Sequence, residues 1–141
     1  MGKRYTNILI ALELTGGFDE EILHKVSDMT KSYQGHLHLV HIIEPVHTPP
    51  PFLDVAENYE ADVRKKMTEL GTKFEIPKEN QFVKVANIED EIFDLIKLIK
   101  ADLLVVGNHG RHGIQSLFKR NHTASLMRNA ECDILAIKAA M

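Results

Sequence analysis

The sequence predicts a single α/β domain in which a parallel sheet is covered by helices on both faces. Two observations predict this fold class. Short runs of apolar residues, of the length of buried strands, alternate along the chain with longer segments that have helical periodicity. Most of these runs lack the polar–apolar alternation of a sheet with one face in water. A chain of 141 residues is long enough for one domain of this kind, spanning residues 1–141.

Five segments of the sequence predict strands. Four of them consist almost entirely of apolar residues, as expected for strands that are buried on both faces. The third along the chain alternates slightly and is more typical of a strand at the edge of a sheet. The predicted strands are residues 8–12, 37–43, 82–85, 103–106 and 134–137.

Three of the predicted helices are defined by apolar residues at spacings of three and four, which form one stripe along a helix. The third helix begins with a capping signal, Asn87 followed by Asp90. A fourth, shorter helix is predicted over residues 121–129, with Asn121 placed to cap it. The three stripes consist of Phe18, Ile22, Val26, Met29 and Tyr33; of Tyr59, Val63, Met67, Leu70 and Phe74; and of Ile88, Ile92, Leu95, Ile96 and Ile99.

The composition excludes several classes of partner and compartment. The net charge of −3 gives no long-range attraction to nucleic acid or to an anionic membrane. The apolar runs are too short to cross a bilayer, and the amino terminus does not have the pattern of a signal peptide. Cys132 is the only cysteine, which rules out an intrachain disulfide. We therefore expect a cytoplasmic protein that binds neither nucleic acid nor membranes.

The fold class also predicts where a ligand would bind. Right-handed crossovers place helices on both faces only if the strand order reverses, and ligands bind at that reversal, beyond the carboxyl ends of the strands. One of these ends is the segment 107–121, GNHGRHGIQSLFKRN. Its glycines let backbone N–H groups approach an anion, and the helix start near Asn121 adds a positive end. The same spacing is also typical of a simple strand-to-helix turn.

The whole chain resembles the universal stress protein family. In the nucleotide-binding members of that family, two glycines separated by two residues are followed, after nine residues, by a glycine and a serine or threonine. Gly107 and Gly110 match the first pair and the loop has the family's length, but Arg120 and Asn121 stand at the last two positions. The resemblance implies a five-stranded parallel sheet of order 3-2-1-4-5, the adenine nucleotide alpha hydrolase-like fold. It also implies a role in stress tolerance and a homodimer formed through the last strand, residues 132–138.

The resemblance further implies a site for ATP or AMP, in which Mg²⁺ bound with the nucleotide is the only metal. Ala11 and Ile42 match positions that line the adenine pocket, and Val106 lies directly before the glycine loop. Glu13 stands where the family usually has an aspartate that faces the ribose and the adenine. Glutamate keeps the charge of that aspartate but extends one carbon further.

The phosphates of such a nucleotide would rest on the amides of residues 107–110 and near Asn121 and His122. Asn121 can cap a helix as serine does, and its amide can donate to a phosphate. Arg120 is the larger change, because it either strains a backbone that needs positive φ or binds a phosphate through its guanidinium. The sequence leaves both outcomes open. It also leaves open a stress protein that binds no nucleotide and acts through unidentified protein partners.

A second class of function is an ATP-dependent adenylating enzyme that releases pyrophosphate. The segment 15–19, TGGFD, resembles the Ser-Gly-Gly-x-Asp-Ser pyrophosphate loop of such enzymes, and it likewise follows the first strand. Threonine replaces the first serine of that loop, and Glu20 places a carboxylate where the last serine stands. A chain of 141 residues also leaves little room for a second substrate.

Neither a catalytic site nor a metal site is predicted from the remaining residues. His36 and His38 lie on one face of the second strand and His41 on the other, and two more histidines lie in the glycine loop. The cysteine cluster or His-Glu-x-x-His helix that is typical of zinc sites does not accompany them. No histidine or aspartate is spaced to activate Cys132. We therefore expect no catalytic residue, and at most a slow, incidental hydrolysis of bound nucleotide.

Overall fold

The described residues form a five-stranded parallel sheet. The structure is a computed structural model that describes residues 5–14, 17–44, 53–108 and 120–138, without the side chains of residues 53–57, 108 and 120–124. The strand order is β3-β2-β1-β4-β5, which confirms the order expected from the sequence, and every neighbouring pair is parallel. The strands are β1 (Asn7–Ala11), β2 (His36–Ile43), β3 (Gln81–Val85), β4 (Leu103–Asn108) and β5 (Asp133–Lys138).

Helices cover both faces of this sheet, as predicted. They are α1 (Phe18–Thr30), α2 (Leu53–Lys73), α3 (Ile88–Ile99) and α4 (Arg120–Asn129), and a short 3-10 turn (Lys78–Asn80) precedes β3. Alternate residues of the central strand β1 point to opposite faces. Ile8 and Ile10 pack into a core with α1 and α2, whereas Leu9 and Ala11 pack into a second core with α3 and α4. The proline-rich segment 45–52, which follows β2, lies outside the described residues.

The apolar stripes predict the buried faces of the helices with uneven success. In α3 the stripe is confirmed, because Ile88, Ile92, Leu95 and Ile96 are all buried. In α1 the prediction fails at its carboxyl end, where Met29 is 37% exposed and Tyr33 lies beyond the end of the helix. Thr30 takes the buried position there, because its hydroxyl donates to the carbonyl of Val26 at 3.0 Å. In α2 the first member of the stripe is wrong, since Tyr59 is exposed, while Val63 and Met67 are buried.

The helix starts are of three kinds. Asn87 caps α3 as predicted, since its side-chain oxygen accepts from the amide of Asp90 at 3.1 Å. Helix α1 follows Gly17, whose φ of 78° is left-handed, and that position contributes no side-chain cap. Helix α4 begins at Arg120, one residue before the predicted start. The prediction that Asn121 caps α4 is therefore wrong, because Asn121 is the second residue of the helix.

Candidate functional site

The carboxyl ends of β1, β2 and β4 lie side by side and include the point where the strand order reverses. From β1 the chain adds β2 and β3 on one side and β4 and β5 on the other, so the reversal falls between β1 and β4. Three of the residues predicted for the adenine pocket lie at this edge, on the face that α3 and α4 cover. Ala11 and Val106 are each 4% exposed, and the partly buried Ile42 packs against the same core. The structure thus brings these three side chains onto one face of the sheet.

Glu13 lies two residues beyond the end of β1 and is partly buried. The backbone amide of Leu12 still donates to the carbonyl of Val40 at 2.8 Å, so the pairing of β1 with β2 continues past Ala11. The alternation of an extended strand therefore places Glu13 on the same face as Ala11. The next residue, Leu14, has a φ of 61° and packs its side chain into the opposite core.

Asp19 holds this turn in place from the first turn of α1. Its two carboxylate oxygens accept from consecutive backbone amides, that of Glu13 at 3.1 Å and that of Leu14 at 2.6 Å. The side chain is only 5% exposed, so little water competes for these bonds. Reasoning from the sequence placed Asp19 in a possible phosphate loop and missed this role. The signal available was an acid just inside a helix that follows a strand by a short glycine turn.

His41 contacts the same turn from β2. Its Nδ1 atom lies 2.7 Å from the carbonyl oxygen of Leu12, and the residue is 6% exposed. Because a carbonyl can only accept, Nδ1 carries the proton and donates. Burial lowers the pKa of His41, and the Leu12 carbonyl and the charge of Asp19 oppose that shift. The other ring nitrogen, Nε2, is buried and has no hydrogen-bond partner among the described residues.

The glycine segment begins later than predicted. Strand β4 continues to Asn108, and Gly107 is a buried residue within it that pairs with Ile137 of β5. Gly107 therefore has extended backbone and does not form part of the turn. Gly110, the second glycine of the signature, lies outside the described residues.

The first turn of α4 consists of Arg120, Asn121 and His122. A first helical residue has helical backbone angles, with negative φ, so Arg120 does not carry the strain that a left-handed position would impose. The amides of a first turn have no acceptor within their own helix and are free to meet an anion. No acidic residue lies in this turn, whereas the first turns of α1 and α3 each contain three.

The segment that resembles a pyrophosphate loop is acidic where the structure describes it. Asp19 is already bound to backbone amides, and Glu20 forms an ion pair with Lys73 at 2.9 Å. With Glu21 in the same turn, the start of α1 repels rather than attracts a polyphosphate. Thr15 and Gly16 lie outside the described residues.

The histidines of β2 are separated by the sheet. His38 is buried on the face opposite His41, and burial lowers its pKa. Within the described ranges, no group of three or more histidine, cysteine, aspartate or glutamate residues could hold a metal ion. The two histidines of the glycine loop fall in the segment 109–119, which is not described.

Cys132 precedes β5 and is half-buried. Burial and the nearby charges of Asp133 and Asp102 raise the pKa of its thiol, which disfavours the nucleophilic thiolate. In the part of the chain that the structure describes, no helix is long and apolar enough to cross a membrane.

Known proteins match the chain over most of its length. The model of the universal stress protein family matches residues 4–138. Universal stress protein A homolog 2 of Coxiella burnetii is 30% identical over 140 residues, which cover 95% of this chain and 95% of that protein. Universal stress protein A homolog 1 of the same bacterium is 29% identical over 142 residues, covering 94% of this chain and 96% of that protein.

Solved structures share the fold at low sequence identity. A universal stress protein in complex with cAMP superimposes with a TM-score of 0.64 at 18% identity, over 96% of this chain and 98% of that one. Two longer chains from Pseudomonas aeruginosa give TM-scores of 0.69 and 0.70 at 17% identity over 95% of this chain, which spans only 48% and 47% of their lengths. These identities support the fold alone. The family match over residues 4–138, together with the Coxiella relative at 30% identity, identifies the chain as a member of the universal stress protein family.

Proposed function

We propose that this universal stress protein is a binding module for an adenine nucleotide, ATP or AMP, and not an enzyme. The observation that carries the proposal is the first turn of α4. Its amides have no acceptor within their own helix, it contains no carboxylate, and it begins with Arg120. Helix α4 packs through Leu126 into the core that also contains Ala11 and Val106, so its start belongs to the same side of the sheet.

The phosphates of the nucleotide are assigned to this helix start. Anions at a helix amino terminus are stabilised by the amides and by the helix dipole, and three carboxylates would cancel that effect at α1 or α3. Because the backbone of Arg120 is helical, with negative φ, this position does not require a glycine. We assign its guanidinium to a phosphate oxygen, with Asn121 and His122 contributing their amides. Mg²⁺ would enter with the nucleotide.

The nucleoside is assigned to the carboxyl ends of β1, β2 and β4. Ala11, Ile42 and Val106 supply the apolar surface against which an adenine ring packs. Glu13, on the same face, supplies a carboxylate that accepts from the ribose hydroxyls. The structure of a universal stress protein in complex with cAMP supports the choice of an adenine nucleotide as ligand, because that protein shares this fold.

Calorimetric titration with ATP in the presence of Mg²⁺ tests the proposal. We expect the wild type to bind at micromolar affinity and Arg120→Gly to bind about tenfold more weakly, as the loss of one charge-assisted contact predicts. Binding by Arg120→Gly alone would mean that the arginine closes the site. If neither protein binds ATP or AMP, the glycine segment has lost its function and the proposal is wrong. Release of pyrophosphate from ATP, abolished by Asp19→Ala, would instead support the adenylating enzyme.

A second part of the proposal concerns assembly through β5. This strand is the last in the sheet order, and its apolar residues Ile134, Leu135 and Ile137 are only partly buried. An exposed apolar edge strand is stabilised when another strand pairs with it, and a symmetry mate gives a two-fold interface. We propose a cytoplasmic homodimer formed through residues 132–138, which presents its remaining surface to protein partners.

Sedimentation equilibrium tests the dimer. We expect a dimer at micromolar concentration for the wild type and a monomer for Ala136→Lys, because Ala136 is exposed in the single chain and a lysine there would place a charge inside the proposed interface. Glu131→Lys, exposed and outside the strand, should remain dimeric. A wild type that sediments as a monomer contradicts the assembly without affecting the nucleotide site.

A further inference from the structure

The turn that carries Glu13 is held by side chains from two different elements. Asp19 of α1 accepts from the amides of Glu13 and Leu14 at 3.1 and 2.6 Å. His41 of β2 lies with Nδ1 2.7 Å from the carbonyl oxygen of Leu12. Side chains thus bind one backbone group in each of three consecutive residues: the carbonyl of Leu12, the amide of Glu13 and the amide of Leu14.

We propose that Asp19 and His41 are positioning residues that fix the backbone at Glu13, so that its carboxylate meets the ribose hydroxyls of the bound nucleotide. The inference rests on the proposed nucleotide site. It assigns to the chain two residues that touch no ligand atom and act only through Glu13. Both belong to the face of the sheet opposite the adenine surface, and they reach the site through the backbone of the turn.

Backbone conformation explains why such positioning is needed. Leu14 has a φ of 61°, in the left-handed region that a leucine rarely adopts. The turn keeps this conformation because the Leu14 side chain is 4% exposed in the core and its amide is bound to Asp19. When these bonds are lost, Leu14 can relax to negative φ, and the peptide that joins it to Glu13 rotates. The direction of the Glu13 side chain then changes with it.

Burial makes the two contacts selective. Asp19 is 5% exposed and His41 6%, so neither polar group can exchange its backbone partner for water. A carboxylate that accepts from two consecutive amides fixes their orientation as well as their distance. The neutral ring of His41 donates through Nδ1, and an asparagine at this position offers a donor at nearly the same place. That equivalence provides a conservative variant that should preserve the contact.

The chain also offers a matched control at the other end of β1. Asp102 accepts from two consecutive amides, those of Thr6 at 2.8 Å and Asn7 at 3.0 Å. It therefore makes the same kind of contact as Asp19, but at the amino edge of the sheet. The six residue-to-residue steps from Asn7 to Glu13 span about 20 Å of extended chain. Replacing Asp102 removes a similar pair of bonds without disturbing the turn at Glu13.

The experiment compares the affinities of ATP and 2′,3′-dideoxyATP, which lacks both ribose hydroxyls. In the wild type we expect ATP to bind about tenfold more tightly, since hydrogen bonds to a charged group are lost in the analogue. Glu13→Ala should bring this ratio to about one. Asp19→Asn and His41→Leu should bring it close to the Glu13→Ala value, whereas His41→Asn should keep the wild-type ratio. Asp102→Asn should also keep the wild-type ratio of affinities, even if this variant is destabilised as much as Asp19→Asn.

The outcomes separate this inference from the function on which it rests. A wild type that binds neither nucleotide overturns the proposed function and this inference together. A wild-type ratio that persists in folded Asp19→Asn and His41→Leu overturns only the positioning role. Amide hydrogen exchange provides a second measurement. Because asparagine keeps only one acceptor oxygen, protection should fall at one or both of Glu13 and Leu14 in Asp19→Asn and be kept at both in Asp102→Asn. If both amides stay protected in Asp19→Asn, the contact that the inference requires does not hold the turn.

Discussion

Helices α1 and α4 follow β1 and β4, the two strands between which the strand order reverses, yet their first turns have opposite chemistry. The first turn of α1 contains three acidic residues, and one of them, Asp19, already accepts hydrogen bonds from two backbone amides of the protein. Helix α4 begins with Arg120 and contains no acid in its first turn. Both starts follow a glycine segment that resembles a phosphate loop in sequence. The comparison teaches that glycines alone do not define an anion site, because the charges of the first turn decide what can bind.

The largest effect is expected at the start of α1, where Asp19→Ala removes a carboxylate that accepts from one buried and one partly buried amide. We expect the free energy of unfolding to fall by about 3 kcal/mol, because two hydrogen bonds to a charged group are lost and both amides are left without this acceptor. Urea denaturation of the variant beside the wild type measures the change. A loss below about 1 kcal/mol would mean that water or another group replaces the carboxylate.

The second-largest effect is expected on ATP affinity, at the start of α4. His122→Glu places an acidic residue in this first turn, as in the first turn of α1. We expect ATP to bind about tenfold more weakly, since a carboxylate in the first turn repels the phosphates and opposes the positive helix end. Adenosine, which carries no phosphate, should bind both proteins equally well. Glu21→Gln provides the converse control, because removing one acid at α1 should leave ATP affinity unchanged. Equal loss for adenosine and ATP would contradict the assignment of phosphates to α4.

Acid should destabilise the protein through its buried histidines. Burial lowers the pKa of both His38 and His41 in the folded state. In the unfolded chain each titrates near the ordinary pKa of about 6.5, so below that pH the unfolded state takes up protons that the folded state refuses. Stability should therefore be constant well above pH 6.5 and fall as the pH drops below it. Denaturation curves between about pH 8 and pH 5.5 measure this, and His41→Asn should lose less stability on acidification.

The smallest effect is expected for the ion pair between Glu20 and Lys73, which also belongs to the start of α1. Both side chains are about half exposed, at 49% and 51%, so solvent screens their attraction. We expect Glu20→Ala to change the free energy of unfolding by no more than about 0.5 kcal/mol. Measured beside Asp19→Ala, this variant distinguishes a buried carboxylate that holds the backbone from an exposed one. A loss equal to that of Asp19→Ala would contradict the distinction.

The sequence predicts the sheet well because its strands are buried on both faces. Continuous apolar runs such as residues 103–106 can be recognised without any tertiary information. The end of β4 is less predictable, because Gly107 suggests a turn whereas its pairing with Ile137 keeps it in the sheet. The prediction of the buried face of α1 fails for a similar reason. Thr30 is buried with its hydroxyl donating to the carbonyl of Val26, and an apolar stripe does not encode that hydrogen bond.

The site was predictable only in part. The family resemblance gave Ala11 and Ile42 as predicted pocket residues, together with Val106 before the glycine loop, and the structure places these three on one face of the sheet. Asp19 was considered only as part of a possible pyrophosphate loop, because a sequence motif cannot reveal that its carboxylate accepts from backbone amides five and six residues earlier.

His41 was missed for a related reason. Its contact with Leu12 links two strands, and 29 residues of chain separate the partners. No local pattern in the sequence encodes a hydrogen bond over that separation. Residues that fix the backbone of a candidate site are thus harder to predict from the sequence than residues that line it.

Amide chemical shifts during titration with ATP and Mg²⁺ test the contrast between the two helix starts most directly. We expect saturable shifts at the amides of Arg120, Asn121 and His122, and none at those of Asp19 and Glu20. The phosphates are then bound at the start of α4. Shifts confined to the start of α1, or a complete absence of shifts at residues 120–122 while ATP binds, would contradict the account.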